Sequence, residues 1–291
     1  MFNVHVTAPG FEYWCYGAGC ENLLANVNTS LALSPRLDVE SSPQVHLLSQ
    51  TRKKQRQLGF QLEGGGSDIE EAFTWSTDLA NGGDWLCIRA TGTDAYNDWV
   101  YNLTQQAPHV PLNTAQTLLV NSTKGANDPF VVEIAKQASV VFFSGGDQSN
   151  YINFYNSTEL LTAVQNGISE ANTPLGGTSA GLHIQGEFIY TAMSDSGITS
   201  VEALSNPYDP TLTLGRNFIQ NPLLANVITD SHFCVRDRMG RSITFGARLL
   251  QDQWGALGQV GVISVDQEAA LLVNDQGLSR NISFYLQLKG G

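Results

Sequence analysis

Residues 140–148 read VVFFSGGDQ, an apolar run that ends in a glycine turn. Four consecutive apolar residues are typical of a strand that is buried on both faces of a sheet. We predict that a helix follows the turn, from about residue 151 to residue 166. The stretch thus predicts a strand, a turn and a helix, which together make one unit of a parallel α/β sheet.

The same pattern recurs on both sides of this unit, from about residue 59 to residue 288. Strands are predicted at 60–62, 85–90, 116–120 and 174–177, and helices at 95–103, 129–137 and 182–191, with a further helix that ends near residue 79. Ser67 and Glu70 have the spacing of a capping box at the start of that helix. The alternation predicts an α/β fold, a three-layer αβα sandwich with a mostly parallel sheet.

Residues 1–57 lack this alternation. Their apolar residues show poor periodicity, and the segment ends in the basic run RKKQR at 52–56. We therefore predict two parts: an irregular N-terminal extension or lobe over 1–57, and a folded domain over 58–291.

The composition is that of an acidic globular protein. The chain has 291 residues, of which 42% are hydrophobic, and a formal net charge of −12. This charge argues against nucleic acid and anionic membranes as partners. Because no apolar run approaches about 18 residues, no membrane helix is predicted and the chain is expected to be soluble. The cysteines have no metal-ligand spacing, so neither a metal nor a cofactor is expected.

Cysteines and glycosylation sequons bear on the cellular compartment. Cys15 and Cys20 are close enough in sequence for a disulfide, although two free thiols are an equal alternative. The first twenty residues do not resemble a signal peptide. Five Asn-x-Ser/Thr sequons begin at Asn28, Asn102, Asn121, Asn156 and Asn281. We predict a secreted, extracellular glycoprotein, with a cytoplasmic protein as the alternative.

A candidate nucleophile lies in the segment GGTSAG at 176–181. Gly177, Ser179 and Gly181 match the GxSxG pattern of a nucleophile elbow, a sharp strand-to-helix turn that exposes a serine hydroxyl. An oxyanion hole beside it would need backbone amides, for which Gly146 and Ala180 are candidates. We take Ser179 as the nucleophile, with a glycine-rich structural turn as the alternative interpretation.

A nucleophilic serine needs a base, and His232 is the best candidate. It follows a short apolar stretch, as a residue at a strand end would, whereas His183 should point away from the serine. Arg236 is predicted in the loop beside His232, and Arg238 and Arg241 on one face of a helix that begins near residue 237. Because guanidinium groups bind carboxylates in bidentate fashion, an acidic substrate is expected.

These segments together resemble the cyanophycinase-like serine peptidases, a family that includes aspartyl dipeptidase (peptidase E). They are FFSGGDQ at 142–148, GGTSAG at 176–181 and DSHF at 230–233 with the arginines after it, supported by EGGGSD at 63–68 and RATGTDAY at 89–96. The resemblance covers about residues 59–275. It implies the fold of class I glutamine amidotransferases, with serine in place of their cysteine. It further implies hydrolysis of aspartyl peptide bonds and, in cyanophycinases, release of β-Asp-Arg dipeptides from a polyaspartate backbone that carries arginine.

The resemblance also implies roles for individual residues. Ser179 attacks the substrate, His232 is the base, and the amides of Gly146 and Ala180 line the oxyanion hole. The implied substrate-binding residues are Gln148, Asp230, Arg236, Arg238 and Arg241. The expected partner is an acidic or β-aspartyl peptide, and the chain could form a homodimer.

One position departs from the family pattern. Where the family usually has the glutamate of the catalytic triad, this chain has Gln267. A neutral amide can orient His232 but cannot stabilise its charged form. We predict that the neighbouring Glu268 is the third member, although alternation along a strand would point Glu268 and Asp266 to the opposite face. A catalytically impaired homologue that binds acidic or aspartyl peptides is the alternative.

Overall fold

The computed structural model describes residues 3–30, 56–194, 197–276, 279–280 and 284–289. Within these residues the strands form two sheets. Their bounds are β1 Asn3–Ala8, β2 Phe11–Tyr16, β3 Gly59–Glu63, β4 Gly83–Arg89, β5 Leu112–Val120, β6 Val140–Phe143, β7 Leu175–Thr178, β8 Phe188–Tyr190, β9 Leu214–Arg216, β10 Val227–Asp230, β11 Gln259–Ser264, β12 Ala270–Asn274, β13 Ser279–Arg280 and β14 Phe284–Lys289.

Helices connect most of these strands. They are α1 Cys20–Ser30, α2 Glu70–Ala80, α3 Asn97–Thr104, α4 Thr123–Ala126, α5 Pro129–Gln137, α6 Gln148–Tyr155, α7 Glu159–Ala171, α8 Ala180–His183, α9 Ser200–Ser205 and α10 Met239–Gln251, with short 3₁₀ helices at Pro222–Leu224 and Ala256–Gly258.

The larger sheet has the strand order β1-β2-β5-β4-β6-β7-β3-β12-β13. Its centre, from β5 to β3, is parallel, and antiparallel strands extend both edges. Along β4, Trp85 and Cys87 pack in one buried cluster with Phe73 of α2, while the alternate residues Leu86 and Ile88 pack in a second cluster on the other face. Because both faces are covered, the predicted αβα sandwich with a mostly parallel sheet is confirmed.

Residues 3–30 are regular, which corrects the prediction of an irregular segment over 1–57. β1 and β2 form an antiparallel hairpin, and β2 pairs with β5 along its whole length. Phe11, Tyr13 and Cys15 are buried and alternate with partly exposed residues. Buried and partly exposed residues alternate over only the six residues of β2. So short an alternation is hard to distinguish in the sequence from a loop. The rest of that predicted segment, 31–55, lies outside the described residues.

Three predicted helical features also differ. The helix expected over 151–166 is broken into α6 and α7, because Ser157 has a φ of 60° and the Thr158 hydroxyl caps α7. The helix expected over 182–191 is the short α8, which is followed by β8. The expected capping box is absent, since α2 begins after Ile69 without a side-chain cap.

The second sheet has the order β14-β11-β10-β8-β9. It meets the larger sheet at α8. The Thr229 hydroxyl of β10 donates a hydrogen bond to the Leu182 carbonyl oxygen at 2.9 Å. The carboxyl ends of β7 and β10, one from each sheet, therefore lie beside the same short helix.

Cys15 and Cys20 form a disulfide that joins β2 to the start of α1. Three sequon asparagines, Asn102, Asn121 and Asn156, are exposed, and the side chains of the other two lie outside the described part of the chain. In that described part, no helix is both long enough and apolar enough to cross a membrane. Glycosylation and secretion stay predictions.

Candidate active site

Ser179 lies at the sharp turn between β7 and α8. Its backbone has a φ of 52° and a ψ of −108°, a strained conformation typical of a nucleophile elbow. A Cβ at Gly177 would overlap the Gly181 carbonyl oxygen, and one at Gly181 would overlap the carbonyl oxygen of Phe143. Close backbone packing therefore requires both glycines of the GxSxG pattern. The Ser179 amide donates to the Glu63 carbonyl oxygen at 3.0 Å, which ties the elbow to β3.

His232 follows the carboxyl end of β10 and reaches the serine. Its Nε2 atom lies 2.7 Å from the Ser179 Oγ atom. The His232 amide donates to the Gly64 carbonyl oxygen at 2.9 Å. A Cβ at Gly65 would overlap the imidazole ring, so the glycine turn at 64–66 leaves room for it. The end of β3 thus positions both members of the pair, Ser179 through Glu63 and His232 through Gly64.

Gln267, not Glu268, contacts the other ring nitrogen of His232. The Gln267 amide nitrogen lies 2.6 Å from Nδ1. The Glu268 amide donates to the Gly65 carbonyl oxygen at 2.9 Å, and its carboxylate accepts from the Ser67 hydroxyl at 3.3 Å. The prediction of Glu268 as third member is wrong because residues 267–268 form a turn, with a φ of 56° at Glu268, rather than a strand.

Asp266 is also engaged elsewhere. Its carboxylate accepts hydrogen bonds from the backbone amides of Cys234 at 3.0 Å and Val235 at 3.2 Å. These bonds fix the loop that follows His232. Among the described residues, no carboxylate contacts the His232 Nδ1 atom.

The Gln267 amide can pair with either tautomer of His232. For Nε2 to accept the Ser179 proton, Nδ1 must carry the ring hydrogen and donate it. The amide nitrogen that faces Nδ1 is a donor and favours the opposite tautomer. Half a turn about the last side-chain bond brings the amide oxygen to the same place, where it can accept from Nδ1. Gln267 therefore orients the ring but leaves both tautomers open, whereas a carboxylate would fix one.

The electrostatic environment keeps His232 neutral. Burial, followed by the charges of Arg236, Arg238 and Arg241, lowers the pKa of His232 to about 4. The imidazole is thus unprotonated near neutral pH and available as a base. Its protonated form is disfavoured, because cations surround it and Gln267 contributes no negative charge.

The turn between β6 and α6 lies beside the serine. A Cβ on Gly145 would lie 3.6 Å from the Ser179 Cβ atom. Gly146 has a φ of 142°, a backbone conformation that favours glycine. Within the described part of the chain, the amides of Gly146 and Ala180 donate no hydrogen bond. Both remain available to bind an oxyanion, and their role stays a prediction.

Asp230 and Arg241, both predicted to bind substrate, bind each other instead. Both side chains are buried. The Arg241 guanidinium donates to the two Asp230 oxygens, from Nε at 2.9 Å and from Nη2. The Ser242 hydroxyl donates to the same carboxylate at 2.6 Å. Although burial raises it, the Arg241 charge brings the pKa of Asp230 below its ordinary value. This buried pair supports the end of β10 and does not face a substrate.

The other predicted substrate-binding residues are placed differently. Arg238 is partly buried, and its guanidinium donates to the Ser231 carbonyl oxygen at 2.9 Å. Burial lowers the pKa of Arg238 to about 10. The Gln148 amide nitrogen donates to the Tyr190 carbonyl oxygen at 3.2 Å, so that end of the side chain is occupied. Arg236 is exposed in the loop beside His232, as predicted.

His183 points away from Ser179, as predicted, yet it links the two sheets at the site. Its Nε2 atom lies 3.0 Å from the Ser231 hydroxyl and 3.5 Å from the Asp230 carboxylate. Burial lowers the pKa of His183 to about 3, so the ring is neutral. Neither this link nor the fit of Gly65 against His232 was predicted from the sequence. The three consecutive glycines at 64–66 could have indicated a close approach at Gly65.

The arrangement can transfer a proton from serine to histidine and present the serine oxygen to an electrophile. Within the described residues there is no group of three or more His, Cys, Asp or Glu side chains that could hold a metal ion. Fold and site together define a class I glutamine amidotransferase-like α/β protein with a serine–histidine pair at the carboxyl edge of its sheets. A peptidase from an acI-B1 Actinobacterium shares the fold, with a TM-score of 0.52 and 18% identity over 81% of this chain and 95% of that chain.

Sequence comparison finds similarity to cyanophycinases over part of the chain. No family model matches the chain. A cyanophycinase of Synechococcus elongatus is 30% identical over 127 residues, which are 44% of this chain and 36% of the relative. A cyanophycinase of Geminocystis herdmanii is 30% identical over 112 residues, 38% of this chain and 37% of the relative. The match thus spans little more than a third of these curated relatives. Over the matched stretch the chain is similar to cyanophycinases, in line with the resemblance of its motifs to the cyanophycinase-like peptidases.

Proposed function

We propose that the chain is a serine-type peptidase that hydrolyses aspartyl peptide bonds of a cyanophycin-like substrate and so releases β-Asp-Arg dipeptides. The observation that carries the proposal is the 2.7 Å contact between Ser179 Oγ and His232 Nε2 at a strained elbow. This distance is within reach for proton transfer. The cyanophycinases among the relatives support the choice of substrate.

The reaction would proceed through an acyl-enzyme. As Ser179 Oγ attacks the carbonyl carbon of the aspartyl bond, its proton passes to His232 Nε2. The negative charge on the carbonyl oxygen is bound by the amides of Gly146 and Ala180. When the C–N bond breaks, Nε2 returns the proton to the leaving amine. Water then attacks the ester in the same way, with His232 as base, and Ser179 regains its proton.

The substrate would be bound by the exposed basic group at the site. Because Asp230 and Arg241 neutralise each other, the guanidinium groups left for a substrate are those of Arg236, which is exposed, and Arg238, which is partly exposed. These two groups can pair with the free α-carboxylates of the arginines that the polyaspartate backbone carries. The net charge of −12 would in turn favour approach of a substrate that carries arginine side chains.

The proposal is tested by incubating the protein with cyanophycin and with short polyaspartate peptides whose aspartyl residues carry β-linked arginine. Mass spectrometry should detect dipeptide release by the wild type. Ser179→Ala should lose at least about 10³-fold in rate, while Ser205→Ala, on the exposed α9, should match the wild type. Absence of product from the wild type, or equal product from Ser179→Ala, contradicts the proposal.

A second candidate function is the binding of acidic or aspartyl peptides without turnover. Gln267 at the His232 ring favours it, because the charged form of the base has no anion to stabilise it. In that case the peptide should bind the wild type and Ser179→Ala with equal affinity, and Arg236→Ala should weaken binding. Calorimetry with an intact peptide separates the candidates, since turnover by the wild type appears as continuing heat release.

A further inference from the structure

A second pocket lies at the opposite edge of the sheets from Ser179. Its lining residues include Leu58, just before β3, Glu187, just before β8, and Ala225, close before β10. Since β3 runs parallel to β7 and β8 parallel to β10, this pocket lies at their amino ends. The serine–histidine pair lies at the carboxyl ends. The four residues of β10 separate the two edges by about 13 Å.

The size and walls of this pocket suit a small molecule. Its volume is about 510 Å³, which is within the range of ligand pockets. Leu58, Ile168 and Ile219 give it an apolar wall, and Ile168 and Ile219 are themselves buried in the core. On the α7 side the Gln165 side chain is fixed by two hydrogen bonds to the backbone of Gln220. Its amide nitrogen donates to the Gln220 carbonyl oxygen, and its amide oxygen accepts from the Gln220 amide. A ligand with an apolar body would therefore meet a preformed surface.

The polar lining carries one charge. Glu187 is the only ionisable residue among the lining residues, and it is partly buried. One of its oxygens, Oε2, accepts a hydrogen bond from the Asn226 amide at 2.6 Å, which fixes the carboxylate at the pocket. The other oxygen has no hydrogen bond within the described part of the chain. A cation is favoured here, and an anion is disfavoured.

A buried amide adds a second polar group. Asn221 lines the pocket, and its Oδ1 atom accepts from the Leu223 amide at 3.0 Å. Its amide nitrogen is buried and has no partner among the described residues. This nitrogen is a neutral donor, so the charge that the pocket favours is still decided by Glu187.

We propose that this pocket binds a small organic cation, an alkylammonium or alkylguanidinium compound. Its stem packs on Leu58, Ile168 and Ile219, and its charged end donates hydrogen bonds to Glu187. The site is separate from Ser179 and His232, and its occupancy does not depend on whether the chain hydrolyses peptides.

Titration of the full chain with butylguanidinium chloride, followed by calorimetry at low ionic strength, tests the proposal. Saturable binding is expected, with a dissociation constant on the order of 1 mM. Glu187→Gln keeps an acceptor for the Asn226 amide but removes the charge, and should weaken binding about tenfold or more. Glu170→Gln, which lies within α7 but not in the pocket lining, should bind like the wild type.

Two further measurements test whether the ligand binds in this pocket and whether binding requires its positive charge. Ser169→Phe places a bulky ring at an exposed position of the pocket lining and should abolish binding even if Glu187→Gln proves unstable. Butanol and butanoate, which share the stem but lack the cation, should not displace butylguanidinium. Absence of saturable wild-type binding overturns the proposal, as does equal binding by Glu187→Gln or displacement by butanol.

Discussion

Gln267 determines how well His232 can act as a base. It lies 2.6 Å from Nδ1, in the place where an anion would stabilise the imidazolium that forms when Ser179 loses its proton. Its amide can orient the ring in either tautomer but adds no charge. The surrounding arginines make the charged ring still less favourable. At the scale of residues, Ser179 is therefore well placed as a nucleophile, but the charged form of its base, His232, lacks an anion to stabilise it.

Gln267→Glu should raise kcat/KM with an aspartyl peptide. The new carboxylate accepts from Nδ1, fixes the base tautomer and stabilises the imidazolium, for which a gain of about 10² to 10⁴ is expected. Gln267→Ala, which removes the orienting group, should instead lower kcat/KM. Steady-state kinetics of the three proteins decides the point. Equal kcat/KM for the wild type and Gln267→Glu would show that the group at Nδ1 is not limiting.

The pH dependence of the wild type should reflect the low pKa of His232. Since that pKa is about 4, the base stays unprotonated above it, and kcat/KM should fall only as the pH decreases through about 4. In Gln267→Glu the carboxylate raises the His232 pKa, so the decline should begin at a higher pH. A wild-type profile that already declines at the ordinary histidine value of 6.5 would contradict this environment.

At the scale of elements, the glycine turn after β3 holds the site together. Gly64 accepts from the His232 amide, Gly65 accepts from the Glu268 amide, and Glu63 accepts from the Ser179 amide. One short loop therefore contacts the nucleophile, the base and the turn that carries Gln267. All three of these hydrogen bonds are accepted by backbone carbonyl oxygens, not by side chains.

Gly65→Ala should impair catalysis more than folding. The φ at Gly65 is 100°, and a Cβ there would overlap the His232 ring, which must shift. We expect kcat to fall by about 10² or more. Gly258→Ala is the matched control, because Gly258 also has a positive φ, 67°, but open space around its Cβ position. If both variants lose stability in urea and neither loses kcat, the fit of the ring at Gly65 is not functional.

The strands of the central sheet can be predicted from the sequence, but the residue that contacts the His232 Nδ1 atom cannot. The apolar runs of β4 and β6 are buried on both faces, so their hydrophobicity alone identifies them. The position of Gln267 depends on a turn with a positive φ at Glu268, which alternation along a strand cannot anticipate. Arg241 and Asp230 could be recognised as charged, but their mutual burial follows only from tertiary packing.

At the scale of the whole molecule, two sheets each contribute half of the site. Ser179 follows β7 of the larger sheet, and His232 follows β10 of the smaller one. The contacts of α8 with Thr229 and Ser231 keep their carboxyl ends together. The geometry of the pair therefore depends on how the second sheet is anchored, and the buried Asp230–Arg241 pair is part of that anchor.

Asp230→Asn should lower the free energy of unfolding by about 3–5 kcal/mol, because it leaves the Arg241 charge buried without its partner. The Asp230 pKa is lower in the folded chain than its ordinary value, so its contribution is present above about pH 4 and is lost as the pH falls through the folded pKa. Urea unfolding at pH 7 measures the loss. Asp252→Asn, which breaks the partly exposed pair with Arg248, is the control and should cost about 1 kcal/mol or less. Equal costs for the two variants would contradict the structural role of Asp230.

The central claim, that Ser179 is a nucleophile activated by His232, is tested most directly by intact-mass analysis after treatment with a serine-directed phosphonylating reagent. We predict one adduct on the wild type, mapped to Ser179 by peptide sequencing, no adduct at that position in Ser179→Ala, and much slower labelling of His232→Ala. An unlabelled wild type, or labelling at the same rate in His232→Ala, would contradict the account.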